Sequence, residues 1–336
     1  MKHTMLTAAV AALALAACGG GDTADTPAET DTPSTEAPVT DTASSEIDVA
    51  PPAAKAEDAT DVATVPAMSA EDLAPSAELA AILDAQPDEA KARYQYRNPG
   101  ETLTFFGVEP GMTVVEVLPG GGWYSKILIP LLGDEGTLIG ADYSYEMWSK
   151  FGGFATEEFL EGKEIWPEQW VEDASEWLGE NETNLAAFSF ENREGDLEGT
   201  ADIAIMVRAF HHLNRFNDDD INHMTEALSD LSAVLKDDGM LGIVQHRGPE
   251  GNDDAWANGD NGYLKQSDVI AWVEGAGFEL VATTEINSNP NDVPTNDEVV
   301  WRLPPTLGTS NDNEELRADM QAIGESDRMT LLFRKK

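Results

Sequence analysis

Three carboxylates and a short stretch of bare backbone carry the first chemical signal in this chain. Glu116 lies within the apolar run "MTVVEVL", which Pro119 and three glycines, Gly120, Gly121 and Gly122, follow directly. Asp142 closes a second apolar run, "GTLIGAD", and Asp196 shortly precedes a third, "ADIAIMV". An ionised carboxylate only accepts hydrogen bonds, so it suits the hydroxyl and amine donors of a small ligand. Glycines let the main chain come close to such a ligand, and the helix that follows offers free N–H groups. Gly120 to Ser125 also reads as a loose G-x-G-x-x-[small] dinucleotide fingerprint, although the same residues describe a tight strand-to-helix turn that holds nothing. Asp142 falls at about the distance downstream where an acid grips a ribose.

A basic set forms the second signal. Arg208, His211 and His212 occur in "RAFHHL", and His246 with Arg247 in "QHR". Imidazole moves protons near neutral pH and guanidinium engages anions. Gathered at one sheet edge, the set could face an anionic or phenolic molecule, with His211 or His246 as base. The competing reading pairs these residues with local acids such as Asp218 and Glu250, and His212 reads best as a packing residue. The five histidines show no H-x-x-x-H or HExxH spacing, and Cys18 is the only cysteine. No metal site, thiolate cluster or internal disulfide is expected.

Alternating strands and helices would position both sets. Strands read over 112–118, 136–142, 201–207 and 239–246, then in "FELVATTEI" and "RMTLLFRKK"; helices read in "WYSKILIPLL", near 218–235 and in "QSDVIAWVEGAG". Apolar strands separated by helices predict an α/β fold whose parallel sheet is covered on both faces. Ligands of such sheets bind beyond the carboxyl ends of the strands. Upstream, "SAEDLAPSAELAAILDA" and "PDEAKARYQYR" have helical spacing. "NPGETLTFFG" is better marked, with Asn98 as N-cap, Pro99 at the first position, Glu101 at the capping-box position and Gly107 as the stop. Trp148, Trp166, Trp170 and Trp177 gather after the second strand. Spacings of four and seven place three of them on one helical face, read as an aromatic core under an insertion rather than a flat platform. The long polar segment between "TTEI" and "RMTLL", with a helix near 312–323, reads as an insertion or lid.

The formal charge is −43, from 63 acids against 20 bases in 336 residues. Such a surface repels phosphates and anionic lipid heads, which argues against a nucleic-acid partner. Residues 5–15 form an apolar run too short to span a bilayer, and "LAAC" follows it. "LAAC" resembles the lipobox of bacterial lipoproteins, which implies cleavage before Cys18, a lipid on it, and membrane contact through it alone. The next stretch is Thr, Pro, Ala, Asp and Glu with almost no large apolar residue, the composition of a self-repelling tether. The expected organisation is a signal over 1–17, a disordered acidic tether over 18–68, and a domain over 69–336 with insertions near 148–190 and 287–326. The body would stand in the periplasm.

Residues from about 75 to 336 resemble the class I S-adenosylmethionine-dependent methyltransferases. The features that carry this are Glu116 with Gly120 to Gly122, "GADYSYEM" after the second strand, Gly195-Asp196 before the fourth, and "FHHL" after it. "RNPGETLTFFGVEPGMTVVEVLPGGGWYS" is similar to a family of sequence-predicted methyltransferases that are often exported, and "GYLKQSD" with Tyr263 resembles the opening of a lid there. The resemblance implies a Rossmann-like, doubly wound, mostly parallel seven-stranded sheet with the last strand antiparallel and helices on both faces. It implies S-adenosylmethionine as cofactor. Glu116 and the backbone of Gly120, Gly121 and Gly122 would hold its methionine part, Asp142 its ribose hydroxyls, and Asp196 its adenine amine. The chain departs from the family at Leu118-Pro119, where the first loop glycine is usual, so the turn is stiffer and bulkier. A small-molecule acceptor would meet His211, His246, Arg208 and Arg247. Alignment supplies much of the rate in methyl transfer, and a base is needed only for an acceptor that carries a proton. A dinucleotide-dependent oxidoreductase fits these features poorly. A non-catalytic nucleoside-binding or scaffolding lipoprotein of the same fold stays open, because the cofactor is made in the cytoplasm and the signal points outside it.

Overall fold

The computed structural model describes residues 68, 72–193, 195–217 and 221–336. The signal, the lipobox, nearly all of the tether, and Asp218 lie outside the described residues. Four short helices come first: α1 (Ala77–Ala85), α2 (Asp88–Lys91), α3 (Tyr94–Arg97) and α4 (Pro99–Phe106). The alternation then begins with β1 (Thr113–Val117), α5 (Ser125–Leu132) and β2 (Thr137–Asp142). Three helices, α6 (Tyr145–Ser149), α7 (Glu157–Glu164) and α8 (Trp166–Ser175), lead to β3 (Asn184–Ser189). There follow β4 (Ala201–Val207), α9 (Phe210–Arg215), α10 (His223–Val234), β5 (Leu235–Gly248) and the two-residue β6 (Leu264–Lys265). The chain closes with α11 (Gln266–Gly275), β7 (Phe278–Thr284), α12 (Glu314–Ile323) and β8 (Arg328–Lys335).

The strands lie in the order β3-β2-β1-β4-β5-β8-β7, with β6 beside the end of β5. β8 runs antiparallel to both its neighbours, and the remaining pairs are parallel. This is the Rossmann-like, doubly wound α/β sheet expected, with its last strand antiparallel. The chain order reverses between β1 and β4, so the carboxyl ends of those two strands flank the crevice where such sheets bind ligands. β3 was not legible in the sequence: "NLAAFS" is an edge strand with only Phe188 buried, so it lacks the apolar run that marks the central strands.

Side-chain alternation along the strands builds a core on each face. Val115 and Val117 join Leu228 and Leu231 of α10 and Val269 and Val273 of α11. Val114 faces the other way, toward Leu79 of α1, Leu103 of α4, Ile127 of α5 and Trp170 of α8. Each fully buried Leu or Val contributes about 1.5–3 kcal/mol relative to exposure. Asn98 does not cap α4 as expected. It takes a left-handed conformation, φ 38°, and its side chain instead donates to the Ile286 carbonyl at 2.7 Å. Pro99 does open α4, and Gly107, φ 71°, closes it.

The tryptophans divide between the two cores. Trp148 packs with Tyr143, Phe151 and Phe159, whereas Trp166, Trp170 and Trp177 form the second group. Trp170 lies flat on Gly140 of β2, where an added Cβ would come within 2.8 Å of the indole. Among the described residues no helix is long and apolar enough to cross a membrane. Because the contact at Gly140 leaves no room for a methyl group, Gly140→Ala is expected to cost about 1–3 kcal/mol by overpacking. Thermal denaturation checks this, and an unchanged melting temperature would mean that α8 is free to shift away from the sheet.

Candidate functional site

Glu116 sits near the carboxyl end of β1 with its side chain buried. The glycine turn brings the start of α5 back onto it, so that Ser125 Oγ donates to Glu116 Oε2 at 2.6 Å. Burial pushes the Glu116 carboxyl up to about 7, against the lowering effect of the Ser125 bond. The turn needs left-handed backbone at Leu118 (φ 55°), Gly120 (φ 54°) and Gly122 (φ 76°). Leu118 therefore adopts the conformation that the usual glycine would take, at a cost of about 1–2 kcal/mol. Gly120 and Gly121 are exposed. Gly122 is covered by Trp177, whose ring lies 2.4 Å from the place of a Cβ.

Asp142 is buried at the carboxyl end of β2. Its Oδ1 accepts the Tyr143 N–H at 2.8 Å, and its Oδ2 receives Lys163 Nζ of α7 at 2.6 Å. That ammonium also lies 4.2 Å from the Trp148 ring centroid. Burial raises the Asp142 pKa, with Lys163 opposing the rise. The sequence offered no sign that a lysine twenty-one positions downstream would occupy this carboxylate.

Asp196 does not join the other two. It is exposed in a short turn that leads into the amino end of β4, whereas Glu116 and Asp142 stand at carboxyl ends. The acid that follows the carboxyl end of β3 is Glu191, because Asp142 pairs with Ser189 in register. With β3 unmarked in the sequence, the acid that follows its carboxyl end had no strand to point it out. Glu191 Oε1 lies 3.2 Å from His223 Nδ1, and potential ligand atoms of Glu191, His223 and Glu226 all fall within 4.8 Å of one another. This N,O,O set has a geometry that could take a cation, which histidine spacing alone could not reveal.

The basic set splits by strand alternation. His246 points into a cavity of about 430 Å³, together with Arg208, His211 and His212. Arg247, its neighbour on β5, points the other way and pairs with Asp327 (2.8 Å) and Glu285 (2.6 Å). Those hydrogen bonds, Glu285's first, raise its pKa further. Arg247 is thus satisfied by acids, as the competing reading held, though by different acids from those named. It lines a separate groove with Glu250.

Four arginines, Arg93, Arg97, Arg208 and Arg328, line the 430 Å³ cavity, and Glu325 is its one acidic lining residue among the described residues. Arg93 and Arg328 bond Glu325 directly, and Arg97 Nε stands 3.7 Å away. Burial would raise the Glu325 pKa, but Arg328, Arg97 and Arg93 outweigh it and hold the carboxyl at about 2. Arg208 takes a left-handed φ of 60°, and its Nε is buried without a hydrogen-bond partner. Gln245 Oε1 lies 3.3 Å from His211 Nδ1, which fixes the proton there and leaves Nε2 without a partner. Burial first, and then the nearby cations, lower His211 to about 4 and hold His246 and His212 well below the ordinary histidine value. A smaller hollow of about 50 Å³ lies over Glu116 and shares Arg97, Leu118, Val207 and Arg208 with this cavity. Tyr263, by contrast, is buried just ahead of β6, donating to Asp292 and accepting from Arg302.

No family model matches the chain, and no curated protein matches it. Among solved structures it is similar to a SAM-dependent methyltransferase from Aquifex aeolicus, at 17% identity over 75% of this chain and 99% of that one, TM-score 0.42. It is also similar to the 1,6-didemethyltoxoflavin-N1-methyltransferase of Burkholderia thailandensis, at 14% identity over 81% of this chain and 95% of that one, TM-score 0.40. A third is the arsenic(III) S-adenosylmethionine methyltransferase of Chlamydomonas reinhardtii, at 15% identity over 78% and 74%, TM-score 0.40.

The raised carboxyl of Glu116 makes a testable demand on stability. Its folded pKa near 7 exceeds the ordinary 4.5, so the folded state binds the extra proton between those values. The contribution is complete below about 4.5 and is lost as pH rises through 7. Urea denaturation from pH 4.5 to 8 should therefore show Glu116→Gln gaining on the parent protein as pH rises. Parallel curves would put Glu116 in a solvated environment instead.

Proposed function

We propose that this protein is a methyltransferase that uses S-adenosylmethionine and acts on a small-molecule acceptor outside the cytoplasm, tethered by a lipid on Cys18. The observation that carries the reading is the placing of buried Glu116 and Asp142 at the carboxyl ends of adjacent strands beside the glycine turn. The sheet has the strand order and antiparallel last strand expected of that class. These acceptors suit the donor set of an adenosyl amino acid: Glu116 and the turn for its amino acid part, Asp142 for the ribose. Such a cofactor supplies an electrophilic methyl group on a positively charged sulfur. The residues that line both the hollow over Glu116 and the larger cavity, Leu118 and Arg208 among them, would bring acceptor and methyl group together.

Room is the constraint. A 50 Å³ hollow is far smaller than a nucleoside, and Lys163 occupies the ribose acceptor. Ligand entry therefore requires Lys163 to leave Asp142. The same closure favours a second reading, a non-catalytic lipoprotein that keeps the fold.

Calorimetry and thermal shift with S-adenosylhomocysteine separate the two. At about a hundred times its dissociation constant the ligand should add roughly 2.7 kcal/mol of stability, and NAD should add none. Lys163→Met should lower the unliganded melting temperature, because Asp142 is left buried without its counter-charge. It should also tighten homocysteine-product binding by about tenfold, because no charged hydrogen bond has to break. Silence of both proteins toward the ligand would leave the scaffold. For the anchor, Cys18→Ser should move the protein from the membrane fraction to the soluble one; continued membrane retention would remove the lipid from the proposal.

A further inference from the structure

A chain with 63 acids has abundant means to neutralise a cluster of arginines. Around the 430 Å³ cavity, among the described residues, it supplies only Glu325 against four guanidinium groups. Arg93 and Arg328 use Glu325, and Arg328 NH1 also donates to the Tyr96 carbonyl at 2.9 Å. Arg97 rests over the Trp123 ring at 4.7 Å. Arg208 is left with no described carboxylate and a buried, unpaired Nε. Unsatisfied donors of this kind are rare in folded proteins, and each calls for an explanation. Arg208 is moreover held in a left-handed backbone conformation, and such strain clusters at ligand sites. The histidines beside it add no positive charge, because they stay neutral. The lining also includes the apolar side chains of Leu118, Val300, Trp301 and Leu303. The volume falls within the range of about 300–1,000 Å³ typical of small-molecule sites.

We propose that this cavity binds a small organic anion, with a carboxylate or phosphate group held by Arg208 and flanked by Arg97 and Arg328, and an apolar body against Trp301 and Leu303. Arg97, Arg208 and Arg328 each keep an Nε without a hydrogen-bond partner, and guanidinium donors suit the planar or tetrahedral oxygens of either group. The identification of this anion as the methyl acceptor rests on the proposed methyl transfer; the anion site itself does not. If it is the acceptor, the arginines replace a general base. A cationic surround lowers the pKa of a bound acid and presents it already ionised, a task for which His211, held near 4, is too weakly basic.

Calorimetry on the full-length protein with phenyl phosphate, benzoate and uncharged benzamide tests the proposal. One or both anions should bind, with affinity falling as salt rises, the stronger of the two naming the head group, and benzamide should not. Arg208→Gln should weaken anion binding roughly tenfold to a hundredfold, with Arg208→Lys in between. Folding is not at risk in Arg208→Gln: loss of an unpaired buried charge should raise the unliganded melting temperature. Arg334→Gln, on an exposed pair with Glu279, should change nothing. Equal binding of benzamide, anion binding insensitive to Arg208→Gln, or no anion binding at all would overturn the proposal. S-adenosylhomocysteine, titrated in parallel, reports on methyl transfer separately: anions without it keep this site and remove that reading, and the reverse keeps that reading and removes this site.

Discussion

One buried carboxylate ties the walls of the cavity together. Glu325 stands at the end of the lid segment, and its oxygens reach Arg93 ahead of α3, Arg97 in α3 and Arg328 at the start of β8. Elements more than two hundred residues apart are thus joined through a single side chain. Without Glu325, three guanidinium groups would face one another in a poorly solvated space, and breaking a buried ion network in this way costs about 3–5 kcal/mol. The network fixes position and charge at once. It leaves a positive excess that the fold tolerates only because the residual charge sits at an open cavity, where solvent or a ligand can meet it.

Burial first, and nearby cations second, determine what the neighbouring histidines can do. Three imidazoles lie close together, His211 being 4.0 Å from His212 and 5.5 Å from His246 between ring centroids. In isolation such a cluster would suggest proton transfer near neutral pH. Burial and the arginine field instead keep all three neutral. His246 Nδ1 is engaged with Ser326 Oγ at 2.6 Å, His212 faces the Tyr143 hydroxyl at 3.3 Å, and His211 is oriented by Gln245. The three histidines line the cavity as neutral polar groups, so its positive charge comes from the guanidinium groups.

The central strands and their terminal acids were legible because a buried parallel strand is a continuous apolar run, and a charge at its end stands out. Glu116, Asp142, Arg208 and His246 were placed at or near strand ends in that way. Arg247 was misplaced by one residue of strand alternation, which local composition does not encode. Asp196 stands apart from Glu116 and Asp142, and Glu191 went unnoticed, because β3 is an edge strand of small residues that gave no marked strand end. Arg93, Arg97, Arg328 and Glu325 had no local signature at all. Arg97 and Arg328 lie in a helix and a strand, and Arg93 and Glu325 in the turns beside them; all read as ordinary surface or core, and only the tertiary fold converges them. Lys163 belongs to the same class: a lysine in an acidic helix reads as a solvated group until β2 is seen beneath it.

Two left-handed residues that are not glycine mark the crevice between β1 and β4. Leu118 follows β1 and Arg208 follows β4, on the two sides of the point where the strand order reverses. Glycine at either position would relieve about 1–2 kcal/mol of backbone strain and would give the more open turn usual in this kind of sheet. The retained side chains both line the hollow over Glu116 and the larger cavity beyond it. Leu118 gives that shared lining an apolar side chain and Arg208 a charged one. Strain held at two matched strand ends, both facing the same space, is better explained by what that space receives than by the needs of the fold.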